Sequence, residues 1–278
     1  MAVPRSERLT KWLIAGPPLA FLLLFFLLPS LIMALASLRY PGEFGGLAPL
    51  AVRPGEEGGL TLENYALFFG DWVYAQIFAK SLVIAALTTF VCLVLAYPLA
   101  LLIARSPKKR RDLMVLLVIL PFASNFLVRV YAWMIILGPM DLLFTRFAVI
   151  VGMVYVHLPF MILPLYTNLE KHDPTLLDAA QDLGANAWHT FWRVTFPLSL
   201  PGVFSGSALV FIPVLGMFAI PELLGGKDDW MVGNMIKEAF LGTRDWPFGS
   251  MLSLMLTLAV LAIAGAAAMF ARKGAPGA

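Results

Sequence analysis

The protein has 278 residues, of which 60% are hydrophobic and 13% charged, and its formal net charge is +3. Soluble domains usually carry about 25% charged residues, so this composition disfavours a soluble enzyme, excludes a disordered chain and indicates an integral membrane protein. A single cysteine, Cys92, excludes an intrachain disulfide, and the small net charge gives no support for nucleic-acid binding.

Six apolar stretches are each long enough to cross a bilayer, which takes about 20 residues. They predict an all-α membrane protein with a single domain over residues 1–278 and six transmembrane helices. The predicted spans cover about 12–38, 78–104, 113–137, 147–169, 201–221 and 248–271. The first stretch is longer than the apolar core of a signal peptide, so we expect it to be a retained membrane helix.

The charges differ in sign between the two sides of the predicted membrane. Segments on the side of the N-terminus hold twelve basic and six acidic residues, whereas those on the other side hold six basic and eleven acidic residues. Most of the basic signal comes from the short loop 106–111. The positive-inside rule therefore predicts that both termini are cytoplasmic.

The first outer loop opens with residues 41–59, which contain six glycines and three prolines and predict irregular structure. Thr61 follows and is expected to cap a short helix.

A polar segment on the inner side, residues 170–200, is the most informative part of the chain. Asp173 followed by Pro174 predicts the start of a helix, and Gly184 predicts its end. The apolar residues of this helix recur at helical spacing, at Leu176, Leu177, Ala180 and Leu183. A second short amphipathic helix carries Trp188, Phe191 and Trp192, and Pro197 and Pro201 are expected to stop it before the fifth span.

Two interpretations of this segment are open. It could lie on the lipid surface as an interfacial helix, or it could dock into a groove of a soluble partner. Interfacial helices are normally basic on their polar face, whereas this one carries Asp178 and Asp182. Anionic lipid would repel these carboxylates, which favours docking.

A gapped motif runs through the same segment. Asp178-Ala179-Ala180 is followed after three residues by Gly184, and after nine more by Val194-x-Phe196-Pro197. This pattern resembles the EAA loop of bacterial ABC-importer permeases, with Asp, Val and Phe in place of the usual Glu, Ile and Leu. The resemblance implies that residues 170–200, hereafter the coupling loop, form coupling helices that bind a cytoplasmic ATPase. The ATPase-coupling residues it implies are Asp178, Ala179, Ala180, Gly184, Ala185, Phe191, Val194 and Pro197.

Further segments look like the permeases of spermidine/putrescine importers, of the type placed first in the permease pair. They are residues 61–65, 128–133, 154–165 and 221–226. The resemblance implies a MetI-like ABC importer permease fold, with the coupling helices between spans 4 and 5, in the bacterial inner membrane. It implies ATP-driven alternating access by a non-catalytic subunit. The partners implied are two cytoplasmic ABC ATPase subunits, a second homologous permease, a periplasmic substrate-binding protein and the lipid bilayer. The segment from Gly138 to Arg146 is shorter than the family usually has.

Four residues are candidates for the substrate path: Glu222, Tyr131, Trp133 and Arg129. Glu222 could attract a diammonium substrate or close a gate, or it could be an ordinary boundary charge. Arg129 is a basic residue inside a predicted span, and charged residues in such positions are candidates for a functional role. Glu222 is its candidate partner. The aromatic residues could contact ammonium groups, as could Tyr97 and Tyr155, although a packing or membrane-interface role is favoured for each of them. Asp141, Asp228 and Asp229 could steer cations, could be solvated loop charges, or could contact the binding protein.

The sequence contains no phosphate-binding loop, metal-ligand spacing or nucleophile motif. We therefore expect no catalytic residue, no metal and no cofactor. Alternatives are the same machinery with another small solute, such as thiamine, iron or phosphonate, a membrane receptor or assembly subunit without a transport role, and an ion-coupled secondary transporter. The latter would want acidic residues deep within spans.

Overall fold

The computed structural model describes residues 5–50 and 58–273, with side chains over 13–50 and 58–266. The helices are α1 Arg5–Leu22, α2 Leu28–Ala36, α3 Glu63–Gly70, α4 Trp72–Arg105, α5 Lys108–Ile119, α6 Phe126–Leu137, α7 Arg146–Leu169, α8 Pro174–Asp182, α9 Ala187–Thr190, α10 Phe196–Leu215, α11 Ala219–Leu224, α12 Val232–Lys237 and α13 Trp246–Lys273. This confirms the predicted all-α class.

In the described part of the chain, five helical stretches are long and apolar enough to cross a membrane: Leu13–Ala36, Trp72–Arg105, Arg146–Leu169, Ala187–Leu215 and Trp246–Ala266. A sixth candidate is a bent pair, Lys108–Ala123 with Phe126–Met140, whose two parts meet at 92°. Counting that pair as one span gives the predicted total of six.

The run predicted as span 3, residues 113–137, is thus two helices instead of one straight segment. A 3₁₀ turn over Leu120–Ala123 holds Pro121, which has no backbone N–H to continue an α-helix. Ser124 and Asn125 are extended, and the Asn125 side chain accepts from the N–H of Leu127 at 2.8 Å. Asn125 therefore caps a new helix, α6, in a new direction.

The prediction that Pro197 and Pro201 stop the second helix of the coupling loop is wrong. The helix runs unbroken from Ala187 to Leu215, so the fifth span begins well before residue 201 and ends before 221. A π-helical turn over Phe191–Thr195 resets the register, and Pro197 lies in the first turn of α10. Pro197 follows the π turn directly, and the changed hydrogen-bond register of that turn accommodates a residue that has no backbone N–H.

The chain divides into two units. One contains residues up to 75 and from 235 onward. Within it α2 packs against α13, and the irregular loop after α2 is tied to α3. The buried Asn64 donates to the carbonyls of Ser37 and Arg39 at 3.1 and 3.2 Å. The helix α3 begins at Glu63, whose N–H donates to the Thr61 hydroxyl, so Thr61 lies one residue before the cap position. Residues 51–57 of the predicted irregular loop lie outside the described part.

The second unit, residues 76–234, is built on the packing of α7 against α10. The span formed by α7 is the most buried of the five, with 61% of its apolar window inside the protein. Gly202 and Gly206 of α10 approach Asn168 and Met161 of α7 so closely that a Cβ would lie 2.8 Å from either side chain. Small residues let two membrane helices approach in this way. The close packing of α7 and α10 forms the scaffold on which both candidate sites are built.

Candidate functional site

The first helix of the coupling loop, α8, has well-defined ends. Asp173 accepts from the N–H of Thr175 at 2.9 Å, and this bond lowers the pKa of the Asp173 carboxyl. At the other end Gly184 has φ +79°, which glycine adopts without cost. The Gly184 N–H donates to Gln181 and the Ala185 N–H to Ala180, which is a Schellman motif. The glycine of the gapped motif therefore turns the chain out of α8.

The start of the next helix depends on Asn186, which the sequence analysis missed. Its side-chain oxygen accepts from the backbone N–H of His189 at 2.9 Å. An Asn three residues before a helical N–H is a standard cap signal, so the position was readable from the sequence. Together Gly184 and Asn186 set the turn between the two helices.

The coupling loop leaves large apolar side chains uncovered within the chain. Leu183 is 89% and Trp188 68% exposed, and Leu176 and Trp192 are exposed as well. The motif residues Asp178 and Ala179 are also exposed on α8. Exposed apolar patches rimmed by polar groups mark interaction sites.

The other predicted coupling residues have different surroundings. Ala180, Ala185, Phe191 and Val194 are half-buried, whereas Pro197 is exposed.

An aromatic cluster joins this segment to α4. The rings of Phe191 and Phe196 lie 5.4 and 5.9 Å from the ring of Tyr97, and the Tyr97 hydroxyl lies 2.7 Å from Ser199 Oγ. Tyr97 is 8% exposed. It packs against the helix that leaves the coupling loop, which supports the packing interpretation of this residue.

A second tie holds the base of the coupling loop. The Arg111 guanidinium forms an ion pair with Glu170 at 2.7 Å. Arg111 is at the start of α5, and Glu170 is the residue after α7. The pair therefore connects the basic loop 106–111 with the entry to the coupling loop.

The second candidate region is residues 217–234, hereafter the α11 segment, which carries Glu222. The Asn234 side chain donates to the Phe218 carbonyl at 3.0 Å, and the Val232 N–H donates to the Ser81 hydroxyl at 2.9 Å. Gly233 lies so near Gly216 that a Cβ would be 2.4 Å from its carbonyl oxygen. The segment is therefore anchored at both of its ends.

Asp229 is a structural residue of this segment. It is 4% exposed, accepts from the N–H of Gly226 at 3.0 Å and pairs with Arg146 at 3.1 Å. The Lys80 ammonium donates to the neighbouring Asp228 carbonyl at 2.7 Å. The interpretation of Asp229 as a solvated or steering charge is therefore wrong, because its carboxylate holds the loop against α7. Asp228 is exposed.

The predicted substrate-path residues lie on neighbouring elements, since α11 packs against α6 and α7. Glu222 is exposed while the adjacent Pro221 is buried. Tyr131 is 48% exposed, and the half-buried Trp133 meets Tyr155 edge-on with ring centroids 5.6 Å apart.

Arg129 is half-buried, and its guanidinium lies 5.8 Å from the ring of Phe122. Its Nε and Nη1 are buried without a hydrogen-bond partner in the described part of the chain. The Arg129–Glu222 pair stays a prediction.

Within the described residues, no group of three or more His, Cys, Asp and Glu could hold a metal ion.

Comparison with known proteins adds a family match. The family described as "binding-protein-dependent transport system inner membrane component" matches residues 96–273. The spermidine/putrescine transport system permease protein PotB of Haemophilus influenzae is 40% identical over 257 residues, which cover 86% of either chain. PotB of Escherichia coli K12 is 42% identical over 215 residues, 71% of this chain and 78% of that one. The inner membrane ABC transporter permease protein YdcU of the same strain is 32% identical over 206 residues, 64% of this chain and 65% of that one.

Two solved structures are similar in fold. A chain of a bacterial ABC transporter involved in the import of the acidic polysaccharide alginate superposes with a TM-score of 0.69, at 16% identity, over 97% of this chain and 99% of that one. A chain of the MetNI methionine ABC transporter, in an inward-facing conformation, gives 0.61 at 18% identity, over 74% and 97%. At these identities the likeness shows the fold alone.

Proposed function

The chain belongs to the family of binding-protein-dependent transport system inner membrane components, and we propose that it is the permease subunit of an ATP-driven polyamine importer. The assignment of polyamines as the substrate rests on the sequence identity of 40% and 42% to two permeases named for spermidine and putrescine transport. The membership itself places the chain in the inner membrane as a multi-pass protein.

The coupling loop is the proposed contact with the ATPase. Its two helices expose Leu183, Trp188 and Trp192, and its motif residues Asp178 and Ala179 lie on the same exposed stretch. A helix with apolar anchors of this kind suits a hydrophobic groove on a soluble partner. Movement of the docked loop would reach α4 through Phe191 and Tyr97, and α10 directly, because α9 and α10 are one helix.

The proposed substrate path runs past α6 and α11. Glu222 would attract an ammonium group, and Tyr131 and Trp133 would offer the faces of their rings to it. Support comes from the packing of α11 against α6 and from the exposure of Glu222 and Tyr131. Arg129 would pair with Glu222 in the absence of substrate and so set the affinity of the carboxylate for cations.

The proposed assembly contains a second homologous permease, two cytoplasmic ATPase subunits and a periplasmic substrate-binding protein. We propose that both termini are cytoplasmic, since the basic loop 106–111 would be costly to translocate. The subunit itself is non-catalytic, and the ATPase subunits hydrolyse ATP. An ion-coupled secondary transporter is not favoured, because the described apolar helices α4, α7 and α10 contain no Asp or Glu.

Reconstitution in liposomes tests the function. Uptake of radiolabelled spermidine should require the ATPase, the second permease, the binding protein and internal ATP. Uptake driven by an ion gradient without ATPase would overturn the importer mechanism. A cognate binding protein that takes up thiamine, iron or phosphonate and ignores spermidine and putrescine would overturn the substrate alone.

The path has its own test. Glu222→Gln should raise the KM for spermidine uptake at least several-fold, while Glu63→Gln, also an exposed carboxylate, should leave it unchanged. If Glu222→Arg combined with Arg129→Glu fails to restore transport lost by the single changes, the proposed pair is wrong.

A further inference from the structure

A cavity of about 240 Å³ lies between α8, the end of α4 and the first turns of the α9–α10 helix. Its lining includes Leu177 and Gln181 from α8, Leu101 and Arg105 from α4, and Thr190 and Thr195 from the α9–α10 helix. The exposed face of α8 is the one proposed to bind the ATPase, whereas this cavity lies behind the helix.

Two threonines of the cavity lining have a buried hydroxyl without a partner. Thr190 is 8% and Thr195 3% exposed. Neither Oγ1 atom makes a hydrogen bond within the described part of the chain. Threonines in helices commonly satisfy their hydroxyl on a carbonyl of the preceding turn, as Thr89 does with Ala85 at 2.7 Å. A buried hydroxyl left unpaired is unfavourable, so the pair indicates a ligand that supplies the missing bonds.

The π-helical turn brings both threonines to the same side of the helix. Residues five apart in a regular α-helix are separated by about 140° around the axis. Over Phe191–Thr195 the hydrogen bonds instead join residues five apart, as the Phe196 N–H does with the Phe191 carbonyl. The turn therefore narrows the angle between residues 190 and 195, and both line the same cavity. π turns of this kind often occur at functional sites.

The charge of the cavity favours an anion. Arg105 is the last residue of α4, and within the described residues it has no ion-pair partner. The lining contains no carboxylate, because Asp178 and Asp182 of α8 are exposed and do not line the cavity. A guanidinium, two hydroxyls and the Gln181 amide together offer the donors that a tetrahedral oxyanion accepts.

We propose that this cavity binds a phosphate group, either inorganic phosphate or the headgroup of an anionic phospholipid. Pockets for drug-sized ligands measure about 300–1,000 Å³, so 240 Å³ admits a phosphate with a small substituent and excludes a nucleotide. Arg105 ends a membrane-spanning helix on the side predicted to be cytoplasmic, where basic pockets between helices bind anionic headgroups. Apolar neighbours such as Leu101 and Leu177 suit the glycerol and upper acyl region of a lipid.

The proposal concerns binding and does not rest on the transported substrate. An occupant would connect α8 with α4, so it would also stiffen the link between the coupling loop and the transmembrane bundle. That consequence rests on the proposed function, whereas the binding test below uses the full-length permease alone.

The test compares the wild-type chain with two variants that remove donors without altering the shape of the backbone. Thr190→Val combined with Thr195→Val keeps the side-chain volume, and Arg105→Gln removes the charge. Matched controls are Thr167→Val, whose exposed hydroxyl already bonds to Pro164, and Arg110→Gln, an exposed arginine outside the cavity. Native mass spectrometry measures retained phosphatidylglycerol against phosphatidylcholine, and isothermal titration measures inorganic phosphate.

We expect wild type and both controls to retain phosphatidylglycerol selectively, with about tenfold or greater weakening in the Thr and Arg105 variants. If phosphatidylglycerol shows no preference while inorganic phosphate binds and is lost in the same variants, free phosphate is the ligand. Equal binding of both probes by wild type and variants overturns the proposal. The Thr double variant should melt at or above the wild-type temperature, because it removes unpaired buried hydroxyls, so loss of binding cannot be ascribed to unfolding.

Discussion

The α11 segment and the coupling loop belong to one unit of the fold but differ in where their side chains find partners. In the α11 segment the buried Asp229 meets Arg146 and the N–H of Gly226, and Asn234 donates to Phe218. In the coupling loop Leu183 and Trp188 remain exposed. The first region buries its polar anchors against its own chain, whereas the second presents its most exposed apolar side chains as a surface that a partner can complete. Changes in the first should therefore act on stability, and changes in the second on coupling.

The largest effect on stability is expected at Gly233. A Cβ would lie 2.4 Å from the Gly216 carbonyl oxygen and 2.8 Å from that of Met217, and backbone atoms cannot rotate away. Gly233→Ala should lower the free energy of unfolding by about 3 kcal/mol and the melting temperature in detergent by several degrees. Gly138→Ala is the control, since nothing lies within 4 Å of a Cβ there. Equal melting of the two variants would refute the close packing.

Asp229→Ala should have the next largest effect and lower the free energy of unfolding by about 1–3 kcal/mol, because it removes the acceptor of the Gly226 N–H and the partner of Arg146. Asp228→Ala should be nearly neutral, since Lys80 bonds to the Asp228 backbone carbonyl. Thermal unfolding checks both. A destabilisation of similar size in the two variants would mean that Asp229 is not the anchor.

In the coupling loop, Gly184→Ala tests the turn that ends α8. Alanine at φ +79° costs about 1–2 kcal/mol locally, which would rotate the second helix out of place. Transport per ATP hydrolysed should fall several-fold with little change in the melting temperature of the whole chain. Gly184→Asn should retain most of the coupling because asparagine tolerates this conformation. Wild-type coupling in Gly184→Ala would show that the turn is not required.

Tyr97→Phe is expected to have the smallest effect. It removes the bond to Ser199 while keeping the ring packed on Phe191, at a cost of about 0.5–1.5 kcal/mol. Tyr131→Phe, at an exposed ring, serves as the control for melting temperature. If Tyr97→Phe melts like wild type, the hydroxyl does not contribute to the tie between α4 and α10.

Sequence patterns predicted the fold where one rule decided the outcome. Apolar length alone identified the spans, and the signals at Asp173 and Gly184 set both ends of α8. They failed where two rules competed. Pro197 lies within a continuous helix because a π turn precedes it, and no propensity reveals that turn.

The break in span 3 was readable in part, since Pro121 and Asn125 are a breaker and a cap. The prediction missed them because the whole run is apolar and long enough for one straight span. For the candidate sites, the gapped motif identified the coupling loop, but burial decides the role of each charge. Asp228 and Asp229 are neighbours in sequence and equivalent in chemistry, yet Asp228 is exposed, whereas Asp229 is buried with only 4% of its surface exposed. Only the packing of the loop on α7 separates them.

The central claim, that the exposed coupling loop transmits ATP hydrolysis to the permease, is tested most directly by Trp188→Ala. The complete importer in liposomes should lose at least tenfold of its spermidine uptake and its substrate-stimulated ATPase activity. The melting temperature of the permease should not change, because Trp188 is 68% exposed. Trp72→Ala, at a tryptophan 74% exposed outside the coupling loop, should retain both activities. Wild-type uptake and ATPase stimulation in Trp188→Ala would contradict the account.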